Sequence, residues 1–300
     1  MYRAIILVYL THGLVFLSAG CKRSADSYKE SIETWQQERL ASLVKPDGWV
    51  TLAGLFPLEE GIQCFGSDTL CPVHFPAGTP PEMGTISVNR NTVEMHVNTG
   101  VNITIDGHPV QDIRLEPRDT TLVCTYQNYQ WFLINRGGHY LVRLRDTEHP
   151  ARQSLRQIPY FPIDTAWRFQ ATFHPYDTQR TIPLPNALDM IVDNQSPGYI
   201  RFDHLGQSYE LIALDGGPDE LFLLFYDETS GLVTYGGGRY LYVDKPVSGN
   251  QITLDFNKAY NPPCAFTTFA TCLLPPLENR LPFAITAGEK DPHFLEHDGR

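Results

Sequence analysis

Turn chemistry cuts most of this chain into pieces too short for anything but strands. Asn89-Arg90-Asn91, Asp106-Gly107, Arg136-Gly137-Gly138, His204-Leu205-Gly206, Asp215-Gly216-Gly217 and Ser230-Gly231 each supply a glycine, asparagine or aspartate, the residue types that accept a positive φ at a reversal. Between and around them run short stretches rich in β-branched and aromatic residues. These are Trp49–Phe56, Thr85–Asn89, Thr92–Val97, Val101–Ile105, Thr121–Gln127, Gln130–Asn135, Tyr140–Arg145, Trp167–Phe173, Gly198–Asp203, Ser208–Leu214, Glu220–Tyr226, Tyr240–Val243 and Ile252–Phe256. Strands joined this tightly pair antiparallel with their neighbours. No long helix alternates with them, which argues against a doubly wound parallel sheet. No fixed period recurs, which argues against a propeller or solenoid. The sequence predicts a mainly β fold, an antiparallel sandwich or partly open barrel with one N-terminal amphipathic helix.

That helix is read from Tyr28, Ile32, Trp35, Arg39 and Leu43, which recur at helical spacing. Ser27, with Glu30 three residues on, suits an N-cap, and Pro46-Asp47-Gly48 suits the end. Ahead of it, Arg3 precedes an apolar run from Ala4 to Leu17, then Ser18-Ala19-Gly20 and Cys21. The run has the length of a signal-peptide core and is short for a membrane span. Small residues before a cysteine resemble the lipobox of bacterial lipoproteins, with Ser18 where leucine is usual. The expected organisation is a signal peptide over 1–20, lipidation at Cys21, a tether over 21–27 and a single β-rich domain over 28–300. The membrane is then a partner through the acyl anchor. The expected location is the bacterial cell envelope, lipid-anchored and extracytoplasmic.

The formal charge of −11 has no basic cluster to offset it, so nucleic-acid binding is set aside. The histidines show no HxH or HExxH spacing, and no metal or cofactor is expected. Gly236-Gly237-Gly238 lacks the Lys-Ser/Thr ending of a phosphate loop and is read as a place of close backbone approach.

Several stretches carry a family resemblance: "GWVTLAGLFPLEEG" (48–61), "RLRD" (143–146), "FPIDTAWRFQATFHP" (161–175), "LFLLFYDETSGLVTYGGGRYL" (221–241) and "LDFNKAYNPPCAFTTFATCLLPPLENRLPFAITAGEK" (254–290). Over Trp35 to Lys290 the chain resembles the bacterial DUF1684 family, a domain of unknown function. The resemblance implies a shared fold and no activity.

Six cysteines are present. With Cys21 acylated, five remain and at least one is unpaired. An oxidising compartment favours the local pairs Cys64–Cys71 and Cys264–Cys272, each closing a loop that adds about 2.5 kcal/mol if unstrained. Cys124 is then a buried small hydrophobe. The opposing reading makes Cys264 a nucleophile or redox partner of Cys272. Asn261-Pro262-Pro263 and Leu274-Pro275-Pro276 bracket that loop as rigid elbows.

Arg239 follows the glycines into an aromatic strand. It is expected either to form a buried ion pair with Asp255 or Glu289, or to anchor an anionic group of a ligand. Asp255, Asn257, Asn261, Cys264 and Glu289 complete the candidate ligand-binding set. The expected function is binding of a small or extended extracytoplasmic ligand near Arg239 and the Asn261–Cys264 loop. The alternative is a hydrolase that uses Cys264 or the pair Asp146 and Asp164.

Overall fold

The computed structural model describes residues 26–116 and 122–293. The leader, Cys21 and most of the tether therefore lie outside the described residues. Helix α1 spans 26–43, so Ser27 lies inside it and does not cap it. Ile32 and Leu43 on its inner face are fully buried. A Cβ at Gly48 would sit 2.1 Å from the Leu43 carbonyl oxygen, so glycine lets the chain turn back under the helix end.

Two β assemblies follow. The first comprises β1 (Leu52–Pro57), β2 (Gly61–Gly66), β3 (Val73–His74), β4 (Gly84–Asn89), β5 (Thr92–Val97), β6 (Thr104–Ile105), β7 (His108–Pro109), β8 (Asp112–Leu115), β9 (Cys124–Tyr126), β10 (Tyr129–Arg136) and β11 (His139–Asp146). They form two sheets, ordered β1-β11-β10-β9-β6-β7 and β3-β2-β4-β5-β8. The two-residue β2–β3 ladder is parallel, and the other ladders described in this half are antiparallel. The inner faces share one core, in which Trp131 of β10 lies 5.1 Å edge-on to Phe75 and 6.0 Å from Phe65. This half is a sandwich.

The second assembly comprises β12 (Arg168–Pro185), β13 (Ile191–His204), β14 (Gln207–Asp215), β15 (Glu220–Phe225), β16 (Arg239–Asp244) and β17 (Gln251–Asp255). Its order, β16-β15-β14-β13-β12-β17, is wholly antiparallel and curls into a nearly closed barrel-like sheet. Alternate residues fill the interior: Ile200, Phe202, Leu211, Ala213, Leu221, Leu223, Leu241 and Leu254 are buried together. The sandwich and partly open barrel expected as alternatives thus both occur, one in each half.

The two edge strands of the barrel-like sheet, β16 and β17, lie side by side. Closure comes just past β17, where Tyr240 and Tyr260 exchange two backbone hydrogen bonds of 2.8 and 2.9 Å. Beyond that bridge the edges leave a seam, and α1 lies over it. Segment 256–293 then returns across the barrel as short 3-10 turns and extended chain.

β12 and β13 run far past the expected Phe173 and Gly198. Their hairpin tip reaches the cysteine loop, where Ala187 N–H donates to the Cys272 carbonyl and Leu274 N–H to the Pro185 carbonyl, both at 2.8 Å. Disulfides join Cys64 to Cys71 and Cys264 to Cys272, with Cα atoms 5.0 and 6.1 Å apart. Cys124 is free and fully buried in the sandwich core. Burial pushes its thiol up to about 12. It is expected to resist iodoacetamide in the native protein up to pH 9 and to react once the chain is unfolded. Labelling of the folded protein would contradict this placement.

Candidate ligand groove beneath the N-terminal helix

The residues singled out from the sequence separate into three buried clusters. Arg239 pairs with Phe225 across β15–β16 and is fully buried. Its Nη2 donates to Asp227 Oδ2 at 2.6 Å and to the Ile285 carbonyl at 3.0 Å, and its Nη1 donates to the Ala287 carbonyl. Asp227 Oδ1 accepts from the Thr229 N–H at 2.8 Å and the Thr229 hydroxyl at 2.6 Å. Burial lowers the Arg239 pKa and the Asp227 charge raises it. The partner is therefore Asp227, not Asp255 or Glu289. Asp227 stands two residues beyond Phe225, so the hairpin register delivers it to the guanidinium. The Arg239 fork is taken up within the protein and serves the barrel mouth. The glycine run approaches the proline loop: a Cβ at Gly238, whose φ is +86°, would sit 2.6 Å from Pro275 Cγ.

Glu289 and Asn261 form the second cluster with α1. Arg39 Nε donates to Glu289 Oε1 at 3.0 Å, and Arg39 Nη2 to the Asn261 carbonyl at 2.9 Å. The Asn261 N–H donates to Glu289 Oε2 at 2.7 Å, and the Tyr160 hydroxyl to Oε1 at 3.3 Å. Burial raises the Glu289 carboxyl above its ordinary range, against the pull of Arg39 and the Asn261 N–H. The Arg39 guanidinium also stacks 4.6 Å over the Tyr260 ring.

Asp255 and Asn257 form the third cluster. The Tyr28 hydroxyl donates to Asp255 at 2.8 and 3.0 Å, and the Asn257 N–H donates to Asp255 Oδ1 at 3.0 Å. Asn257 further accepts from the Asp164 N–H at 3.0 Å and donates to the Asp164 carbonyl at 2.8 Å. Burial, then the Asp255 hydrogen bond, raises the Tyr28 phenol, so it stays a donor. The candidate residues thus do not share one cavity. Cys264 is bonded to Cys272 and has no thiolate to offer. Asp146 ends β11 and accepts from Asn128 at 2.6 Å, whereas Asp164 caps a 3-10 turn in the other half.

The second and third clusters pin α1 across the seam, and a groove runs beneath it. At the seam itself a cavity of about 410 Å3 is lined by Tyr28, Trp35, Tyr242, Asp255, Lys258 and Tyr260, among others. A second, of about 470 Å3, shares Trp35, Tyr242 and Tyr260 and adds Trp49, Phe222 and Tyr240. A third, of about 380 Å3, shares Trp49, Phe222, Tyr240 and Pro263 and reaches Thr271 and Leu273. Shared lining residues place the three side by side, the first two against α1 and the third past its end, against Trp49 and the cysteine loop. The floor is the outer face of β15–β16, where Phe222 and Tyr242 stack at 4.7 Å and Tyr242 and Tyr260 at 6.3 Å. The strand period of two puts these rings outside while Leu223 and Leu241 fill the barrel. The signal was present in the alternation of "LFLLF" and "RYLYV", but the helix that roofs the rings lies far away in sequence. Among the described residues, no group of three or more metal-binding side chains comes together, and no helix is long and apolar enough to cross a membrane.

Fold and groove together define an all-β protein with a helix laid over the open seam of its barrel-like half. The chain belongs to the DUF1684 family, described as "Protein of unknown function (DUF1684)", which matches residues 153–290. That match covers the barrel-like half and its return segment. The sandwich lies outside it, as do the 48–61 and 143–146 stretches counted in the resemblance. An uncharacterized protein of Haloarcula marismortui with a solution NMR structure is 35% identical over 46% of this chain and 78% of its own, with a TM-score of 0.40. No curated protein matches.

Proposed function

We propose that this protein is a non-catalytic binding domain of the bacterial cell envelope, lipid-anchored through Cys21, which holds a small or extended ligand in the groove beneath α1. The observation that carries this reading is the run of three adjoining cavities along a row of rings: Trp35, Trp49, Phe222, Tyr240, Tyr242 and Tyr260. Each cavity falls within the size range of small-molecule sites, and rings with a few polar groups among them are the usual lining of such sites. The groove passes Pro263, beside the Asn261–Cys264 loop. Arg239 is committed elsewhere, so the site moves from the barrel mouth to the outer face. Two disulfides suit an oxidising compartment. A hydrolase reading has no nucleophile in a disulfide-bonded Cys264.

Trp35 and Trp49 make the groove readable by its own fluorescence. Titration with fractionated envelope glycans, lipids and peptides is expected to shift tryptophan emission and raise the unfolding midpoint with at least one fraction. The emission shift is expected to vanish in Trp35→Phe or Trp49→Phe. If no fraction moves either signal, the groove is not a binding site.

A further inference from the structure

The seam cavity holds an arrangement that a sheet surface ordinarily avoids. Glu220 of β15 and Asp244 of β16 are directly opposite each other in the antiparallel register. Both are exposed on the outer face, and like charges in facing cross-strand positions destabilise a sheet. Lys245, next in sequence to Asp244, gives its ammonium to Asp215 at 3.0 Å. Among the described residues neither Glu220 nor Asp244 takes part in an ion pair. The next facing pair on the same surface is the stacked Phe222–Tyr242, and Tyr28, Trp35 and Tyr260 complete the aromatic wall of the cavity. Two carboxylates beside exposed ring faces form an environment for an organic ammonium group, which gains from both.

The other edge of the seam carries two cations against one carboxylate, Asp255, which is buried and already bonded to Tyr28. Lys258, half-buried just beyond β17, lines the same cavity and makes no ion pair among the described residues. Arg168 of β12 stands beside it, with its Nε 3.9 Å from Asp255 Oδ2 and its guanidinium 5.1 Å over the Tyr28 ring. Acids on the β15–β16 side thus face cations on the β12–β17 side across about 410 Å3.

We propose that the seam cavity binds a zwitterion of the phospho-amine type, its ammonium held between Glu220 and Asp244 against Tyr242 and its phosphate met by Lys258 and Arg168. The proposal rests on the groove reading and specifies its ligand at one end. Free phosphoethanolamine or phosphocholine carries this chemistry, and so does the headgroup of a phospholipid.

The test is calorimetric titration of the full chain with phosphoethanolamine, phosphocholine, choline and inorganic phosphate. Pelleting with phosphatidylethanolamine vesicles, against phosphatidylglycerol vesicles, completes it. A free phospho-amine is expected to bind at least about tenfold more tightly than choline or phosphate alone. If only the phosphatidylethanolamine vesicles bind, the source is the lipid headgroup. Glu220→Gln with Asp244→Asn is expected to weaken the productive probe about a hundredfold, and Lys258→Met to weaken it about tenfold. The double variant is also expected to unfold at a higher temperature than the parent without ligand, because the facing charges are gone. The proposal is overturned if phosphate alone binds as tightly as a phospho-amine. It is equally overturned if no free probe or vesicle binds, or if the double variant binds unchanged. Should another envelope fraction still shift Trp35 emission after such a failure, the groove stands and only the zwitterion falls.

Discussion

Arg239→Met is expected to lower the stability of this protein by about 3–5 kcal/mol, the usual cost of removing one member of a buried ion pair. The loss arises less from the missing guanidinium than from what remains. Asp227 would keep its carboxylate in the barrel mouth, and the Ile285 and Ala287 carbonyls would lose their donors. Asp227→Asn in the same chain removes the stranded charge while preserving an acceptor for Thr229. The double variant is therefore expected to recover most of the loss, and urea unfolding of the four proteins gives the coupling directly. A loss under about 1 kcal/mol for Arg239→Met would show that the guanidinium is solvated. Additive losses would show that the pair does not act as one.

Arg39→Met is expected to cost about 3 kcal/mol at pH 7, and the cost should shrink in acid. Arg39 is the strongest opposing influence on a Glu289 carboxyl that burial already pushes up. Without it the carboxyl rises further. A raised folded-state pKa means that the protonated form is favoured in the native protein. The stability tied to it is complete below the ordinary glutamate value and is lost as pH climbs through the folded value. The variant should therefore approach the parent below about pH 4 and fall away from it toward neutrality. Unfolding midpoints for both proteins across that range check the slope. A deficit independent of pH would place the cost in lost stacking on Tyr260 and Phe266 rather than in the buried charge.

Much of the architecture was legible because local chemistry fixes it. The 28, 32, 35, 39, 43 spacing gave α1, and the Gly and Asn turns gave the hairpins of both halves. The expected strands Trp167–Phe173 and Gly198–Asp203 cover only the base of the β12–β13 hairpin, whose outer part carries Pro175, Pro183, Pro185 and Pro197. In the fold β17 pairs with Arg168–Thr172, and beyond that point the outer edge of β12 has no partner strand and meets only the cysteine loop at its tip. Pro183 and Pro185 sit there without removing a ladder bond. The local cysteine pairs followed from compartment and spacing.

The groove was much less legible. The sequence predicts an apolar face on α1, and Ile32 and Leu43 bury it. Nothing local says that Tyr28 reaches Asp255 and Arg39 reaches Glu289, 227 and 250 positions away. Arg239 shows the converse: both expected acids, Asp255 and Glu289, lie after it in the chain, but the hairpin register supplies Asp227 twelve residues before it. A hairpin partner is close in sequence and fixed by register, whereas the partners of α1 are fixed only by the closed fold.

α1 is the removable roof of an open seam, and amide hydrogen exchange of a Tyr28→Phe, Arg39→Met protein tests this most directly. Both changes cut the polar pins of the helix without touching the barrel interior. Exchange is expected to quicken along 26–43 and at the seam edges 240–244 and 251–255, with β13 and β14 as protected as in the parent. A helix that stays protected, or a barrel-like sheet that loses protection throughout, would contradict it.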